Sequence, residues 1–174
     1  MTITRPLFPL LWFDEIALDD ANALLAAWEH KMGAVERPNG YAVCHALVHR
    51  SEPVAVTVSS TLIRLNAGAG LKHLTRDNTV ELSRLCASRS GLCRVALRMW
   101  REFVFPSLGF KHALSYQDAD LHNGATYRFD GWARAPRISS SGTDQRSGKK
   151  GRRKWLWVWP PTGLDASKIQ TAEE

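Results

Sequence analysis

Apolar residues recur at helical spacing in two stretches of the chain. Over residues 19–33 (DDANALLAAWEHKMG), Ala21, Leu24, Leu25, Trp28 and Met32 fall on one helical face. Asp19 or Asp20 can cap its start, and Gly33 can end it. Leu92, Val95, Ala96, Met99, Trp100 and Phe103 trace a second helical face, which should stop near Pro106 and Gly109. Elsewhere the period is two. Residues 41–48 and 54–64 read as strands joined by a turn at residues 51–53 (SEP), with Val54, Val56 and Val58 alternating in the second. Residues 66–78 read as a Gly-containing loop, 79–86 as a strand and 112–116 as a short strand. A polar loop with Gln117, Asp118 and Asp120 follows. Residues 123–129 suit a short helix and 132–138 a strand. Trp155, Trp157 and Trp159 alternate with Leu156 and Val158 in a final strand that Pro160 and Pro161 end. Helix, strands, helix, strand, short helix, strand is an order that needs hairpin and crossover connections, so a mixed α/β (α+β) domain is expected.

The 174 residues suit one domain. With 44% hydrophobic and 23% charged residues, collagen and a mostly disordered chain are excluded. No apolar run approaches the ~18 residues of a membrane span. The apolar piece over residues 7–13 is broken by proline and followed at once by Asp14 and Glu15, which does not suit a secretory signal. Cys44, Cys86 and Cys93 lack CxxC spacing, so neither a zinc site nor a disulfide framework is expected, and a cytoplasmic location is. His45 and His49 share a strand face, but with no third ligand identified they do not predict a metal site.

Charge adds one feature. The net charge is +6, and residues 146–154 (RSGKKGRRK) hold six basic residues and no acid, so the rest of the chain is neutral. Such a run suits a polyanion, whose phosphates Lys and Arg neutralise. Lys149, Lys150, Arg152, Arg153 and Lys154 are the candidate DNA contacts. The adjoining tryptophans either stack on bases or pack into the core, and the alternation favours the core. Residues 139–160 thus read as a basic loop and a Trp-rich strand that complete the domain begun by residues 1–138, with 161–174 as a loose tail.

The stretch from 80 to 132 carries the candidate chemistry. It holds Glu81-Leu82-Ser83-Arg84-Leu85, then the amphipathic helix, then Ser115-Tyr116-Gln117-Asp118, His122-Asn123-Gly124-Ala125-Thr126-Tyr127 and Gly131-Trp132. This succession resembles the second half of the GNAT acyltransferase fold, a mixed central sheet flanked by helices. Within that superfamily the ELSRL run, the SYxD pattern at Ser115, Tyr116 and Asp118, and the HxGxxY pattern at His122, Gly124 and Tyr127 resemble the Mom-type DNA-modification proteins of bacteriophages. The resemblance implies an acetyl-CoA-type donor, double-stranded DNA as partner, and conversion of adenine to an N6-acetamido form that protects phage DNA from restriction. It also implies the cytoplasm of a bacterial host.

In the GNAT scheme a tyrosine at the place of Tyr127 protonates the departing thiolate, for which a phenol is a suitable acid. Asp118, placed just past a strand end, is the candidate base or orienting group for the adenine amine, and Ser115 a candidate substrate contact. The other readings are a packed tyrosine, a turn-forming aspartate and a serine bonded within the sheet. Arg89, Ser90, Gly91 and Arg94 are the candidate donor-binding residues, at a helix N-terminus that offers free N–H groups. Counting from Arg89, Leu92 stands where the family has its first glycine, so a side chain is expected in the way of the phosphate. His122 could bind a base or phosphate or merely cap the short helix. Glu81 could act as a base or pair with a cation, and Glu81 and Arg84, three apart on a strand, should face opposite ways. A base in duplex DNA must be extruded to be reached, and Trp12, Trp28 or Tyr41 could then stack on it. The alternatives are an N-acetyltransferase of a small amine or protein, and a DNA-binding module without catalysis.

Overall fold

A computed structural model describes residues 11–36, 41–65, 67, 71–135 and 154–161. Its elements are β1 (Leu11–Ile16), α1 (Leu18–Ala27), β2 (Ala42–His49), β3 (Glu52–Thr61), β4 (Thr79–Ala87), α2 (Leu92–Met99), β5 (His112–Asp118), α3 (Ala125–Phe129), β6 (Ala133–Arg134) and β7 (Lys154–Trp159). The seven strands form one sheet in the order β1-β2-β3-β4-β5-β7-β6. Neighbours are antiparallel except β4 and β5, which run parallel because α2 crosses between them. The expected mixed sheet flanked by helices is the architecture observed.

The helix of residues 19–33 is shorter than its apolar spacing predicts. It ends in a Schellman arrangement, with Glu29 N–H bonded to the Ala26 carbonyl at 3.1 Å and His30 N–H to the Leu25 carbonyl at 2.9 Å. Glu29 takes the left-handed position (φ 51°), and Met32 is left exposed beyond it. The hairpin turn falls at Arg50-Ser51, both at positive φ, one residue before the SEP segment, and Pro53 lies inside β3 beside a bulge. β1 is not expected from the sequence; the prolines before it obscure a strand that pairs along its whole length with β2. The second helix continues past α2 as a π-helical turn (Trp100–Val104) and a 3₁₀ turn (Phe105–Leu108), and stops at Gly109 as expected. β5 extends two residues beyond the predicted end. Gln117 and Asp118 pair with Trp155 and Lys154, so Asp118 ends the strand and does not lie past it.

The core has two sides. On one, α1 places Ala21 and Leu25 against Cys44, Val56, Val58 and Cys86. On the other, α2 and the turn after it place Leu97, Trp100, Val104 and Phe105 against Val80, Leu82 and Ala113, together with Tyr127, Trp132 and Trp157. The indole N–H of Trp100 donates to Ser59 Oγ at 2.7 Å, which satisfies it in the core. Trp155, Trp157 and Trp159 do share the α2 side, where Trp157 is buried and the others are partly so. No helix among the described residues is long and apolar enough to cross a membrane.

Candidate active site at the parting of β4 and β5

β4 has nine residues and β5 seven, yet their ladder covers only Thr79–Glu81 against His112–Leu114. Beyond it a side chain takes over. Ser115 Oγ donates to the Leu82 carbonyl at 2.9 Å and lies 2.8 Å from Tyr127 Oη. With the serine proton committed to Leu82, the phenol donates to Ser115. Tyr127 and Ser115 thus meet in the gap between the strands, both buried.

α3 brings Tyr127 there. Gly124 precedes that helix at φ 77°, and a Cβ on it would lie 2.5 Å from Trp157 Cζ2, so only glycine lets the chain pass over the indole. Trp157 stacks on Tyr127 at 5.3 Å between ring centroids and 11° between planes. Trp132 stands nearly perpendicular to it, at 5.4 Å and 77°. Burial pushes the Tyr127 phenol up to about 12. The hydroxyl therefore keeps its proton at any pH near neutrality.

Asp118 is not brought to Tyr127. Successive residues of β5 alternate, so Ser115 and Gln117 turn toward the α2 side and Tyr116 and Asp118 toward the α1 side. Gln117 accepts from the Trp157 indole at 2.8 Å, as that side requires. Asp118 lies 3.7 Å from Lys31 Nζ and accepts from the Asp120 N–H at 3.0 Å, so it also serves as the turn-forming aspartate of the alternative reading. Lys31 belongs to the segment after α1. Arg84 holds that segment, donating to the carbonyls of Met32, Gly33 and Ala34. This corrects one expectation. A bulge at Ser83 adds a residue to β4, since Val58 faces Arg84 and Ser59 faces Leu82. Glu81 and Arg84 consequently share the α1 side. Glu81 is buried there near Tyr116, whose phenol is raised by burial first and by Glu81 second.

Burial lowers His30 to about 4, with Arg84 and His122 adding to the effect. Its Nδ1 accepts the Met32 N–H at 3.3 Å, which a neutral ring allows. Among the described residues no three or more His, Cys, Asp or Glu side chains are grouped to hold a metal ion. The three cysteines are free thiols.

Arg89, Ser90 and Gly91 form the turn into α2, and all three are exposed. Gly91 occupies the N-cap at φ 86°, with no side-chain cap and no acid in the first turn. These free N–H groups and the positive dipole end suit an anion. The side chain of Leu92, expected in the way of the phosphate, is half-buried and packs with Leu47, Ala55 and Ala96. Arg94 is exposed and lies 4.9 Å above the Phe129 ring. Lys154 starts β7 opposite Asp118, while Lys149, Lys150, Arg152 and Arg153 lie outside the described residues. Sequence reasoning misses Asp130 and the role of Trp132. The Gly-aromatic pair at 131–132 is the one available signal.

No protein-family model matches the sequence, and no curated protein does. Solved structures do match. NAA60 of Arabidopsis thaliana in complex with a bisubstrate analogue superposes with a TM-score of 0.58 at 13% identity, covering 86% of this chain and 97% of that one. AAC(6')-Ib in complex with ribostamycin and coenzyme A gives 0.56 at 14% identity, over 84% and 92%. A probable GNAT-family acetyltransferase from Chromobacterium violaceum gives 0.55 at 12% identity, over 85% and 86%. At these identities the likeness concerns the fold, and the chain has the fold of the GNAT acetyltransferases.

Proposed function

We propose that this chain is an acyl-CoA-dependent N-acyltransferase. The observation that carries the reading is the early parting of β4 and β5, with a protonated, buried Tyr127 in the gap and an uncapped helix N-terminus beside it. The residues fit such a donor. Arg89, Ser90, Gly91 and Arg94 would hold its pyrophosphate, since that turn is exposed, cationic and free of acids. Fold neighbours crystallised with acetyl-CoA or coenzyme A support the donor class. An acyl-CoA supplies an acyl group on a thioester, whose sulfur must take a proton when it leaves. Tyr127 holds that proton at Oη, and Ser115 fixes its direction by accepting it in the resting arrangement. The acceptor amine would come from the α1 side, where Glu81, Tyr116 and the Lys31–Asp118 pair lie. Asp118 orients on this reading.

A second reading, modification of adenine in double-stranded DNA, is favoured by one observation. The three runs that resemble Mom-type proteins lie on β4, on β5 and at the start of α3, and they converge on the Ser115–Tyr127 bond. The exocyclic amine of adenine is a weak nucleophile, and the fold neighbours favour an ordinary amine acceptor over it. The basic run is the element that would hold the duplex, by contacting phosphates.

Calorimetry of the full chain with acetyl-CoA tests the donor, and acetyl transfer to small amines and to N-terminal peptides tests the acceptor. Saturable donor binding with amine turnover is expected; a folded chain that binds no acyl-CoA overturns the proposal and leaves a non-catalytic module. Nucleoside mass analysis of plasmid DNA from cells expressing the chain or Tyr127→Phe tests the second reading. A modified deoxyadenosine with the unaltered chain alone would make DNA the acceptor, and unmodified DNA would remove that reading.

A further inference from the structure

We infer that Asp130 is a positioning residue: a buried carboxylate that ties α2 to α3 and fixes the direction in which Tyr127 points. The inference rests on the reading of Tyr127 as proton donor.

Asp130 follows α3, and its side chain is 0% exposed. Among the described residues its side chain bonds to α2, to the turn that continues it and to Trp132. Oδ1 accepts from Arg98 Nε at 2.5 Å and from Arg101 Nη2 at 3.3 Å. Oδ2 accepts from Arg101 Nε at 2.7 Å and from the Trp132 indole N–H at 3.2 Å. The backbone N–H groups of Asp130 and Trp132 both bond to the Tyr127 carbonyl at 3.1 Å. One residue therefore closes α3, aims the Trp132 ring and links both to the helix that begins at the donor turn. Trp132 then stands edge-on to Tyr127, with Trp157 stacked on the same ring. Arg101 covers Trp159 at 4.5 Å, and Trp159 packs against Trp132 at 6.4 Å, so the cage is closed from outside as well.

A buried ion pair is weak evidence for stability, because removing charges from water offsets most of their attraction. What two arginines on one carboxylate provide is direction. Each guanidinium presents planar N–H groups at fixed angles, which apolar packing does not. Tyr127 has one productive partner, Ser115, and a phenol shifted by an ångström would lose it.

The test uses the full chain labelled with 3-fluorotyrosine. Its three tyrosines, Tyr41, Tyr116 and Tyr127, give three fluorine resonances, and Tyr127→Phe assigns the third. Asp130→Asn is expected to shift or broaden the Tyr127 line and leave those of Tyr41 and Tyr116 in place. In the same variant kcat should fall on the order of 10- to 100-fold while the acetyl-CoA dissociation constant holds. An unmoved Tyr127 line overturns the inference, as does a lost kcat accompanied by equal loss of donor affinity. Should Asp130→Asn not fold, Arg98→Gln decides, since that side chain is half exposed. It should move the Tyr127 line in the same sense by less, and an unmoved line overturns the inference. If the unaltered chain turns over no substrate yet Asp130→Asn moves the Tyr127 line, the proposed function fails and the positioning stands.

Discussion

Tyr127 is held in a form its surroundings choose. Burial opposes the phenolate, so the folded chain keeps the proton up to about 12 while an unfolded tyrosine releases it near 10. Below pH 10 both states hold the proton and the contribution to stability is fully present. It is lost as pH climbs from 10 toward 12, where only the unfolded state ionises. Tyr127→Phe should therefore flatten the fall in urea midpoint across that window. It should also lower kcat by roughly 10²–10⁴ with donor affinity unchanged, as loss of a general acid does. His30 works in the opposite direction. Its folded value of about 4 against 6.5 unfolded means stability is full above pH 6.5 and is lost as pH falls toward 4. A His30→Gln chain should show a flatter acid limb in the same urea measurement, and an unchanged limb would refute the assignment. Tyr127 and Ser115 are both legible from the sequence as candidates. Their hydrogen bond is not, because they are twelve residues apart and on different elements.

At the scale of elements, the short α3 depends on what lies under it. A methyl at Gly124 meets Trp157 at 2.5 Å, and φ 77° is costly for any L side chain. Gly124→Ala should cost about 1–3 kcal/mol. In a chain of this size that lowers Tm by roughly 2–4 °C per kcal/mol, which scanning calorimetry reads directly. Ser115→Ala removes a side chain that bridges β4 and β5 beyond their ladder, and leaves the Tyr127 hydroxyl buried without that partner. A loss of about 1–3 kcal/mol is expected in urea unfolding, and a neutral result would mean the gap admits water. The element boundaries are legible where apolar period and stop signals agree, as over α2 up to Gly109. They are not legible at β1, which the preceding prolines obscure and which pairs along its length with β2, or at Glu29, a residue type that carries no C-cap signal.

For the whole molecule, the decisive relation is between the sheet and what it leaves open. α2 crosses from the end of β4 to the start of β5, and β7 joins β5 from its other side. β5 is thus held by β7 over six pairs and by β4 over three, which lets the two parallel strands part at the site. If the basic run does clamp a duplex, replacing Lys149, Lys150, Arg152 and Arg153 with glutamine should weaken DNA binding. It should also reduce the slope of log affinity against log salt by ~0.9 for each phosphate no longer neutralised, without altering acetyl-CoA binding. Filter binding over a salt series would measure it, and an unchanged slope would refute the clamp.

The sequence by itself determined the two helical faces, the alternating strands, the candidate tyrosine and the glycine before it, and a concentration of positive charge in one run. The faces, the strands and the charge are local properties, set by the periods of helix and strand and by composition, while the tyrosine and its glycine were singled out by the resemblance to the GNAT acyltransferases. Tertiary structure alone decided which residues meet. The bulge at Ser83 turned Arg84 to the side of Glu81, strand alternation set Asp118 away from Tyr127, and Leu92 packed with Leu47, Ala55 and Ala96. Asp130, unremarkable in the sequence, became the junction of two arginines and a tryptophan. These relations depend on register, on a bulge and on which faces of separate elements come together, none of which spacing along the chain fixes.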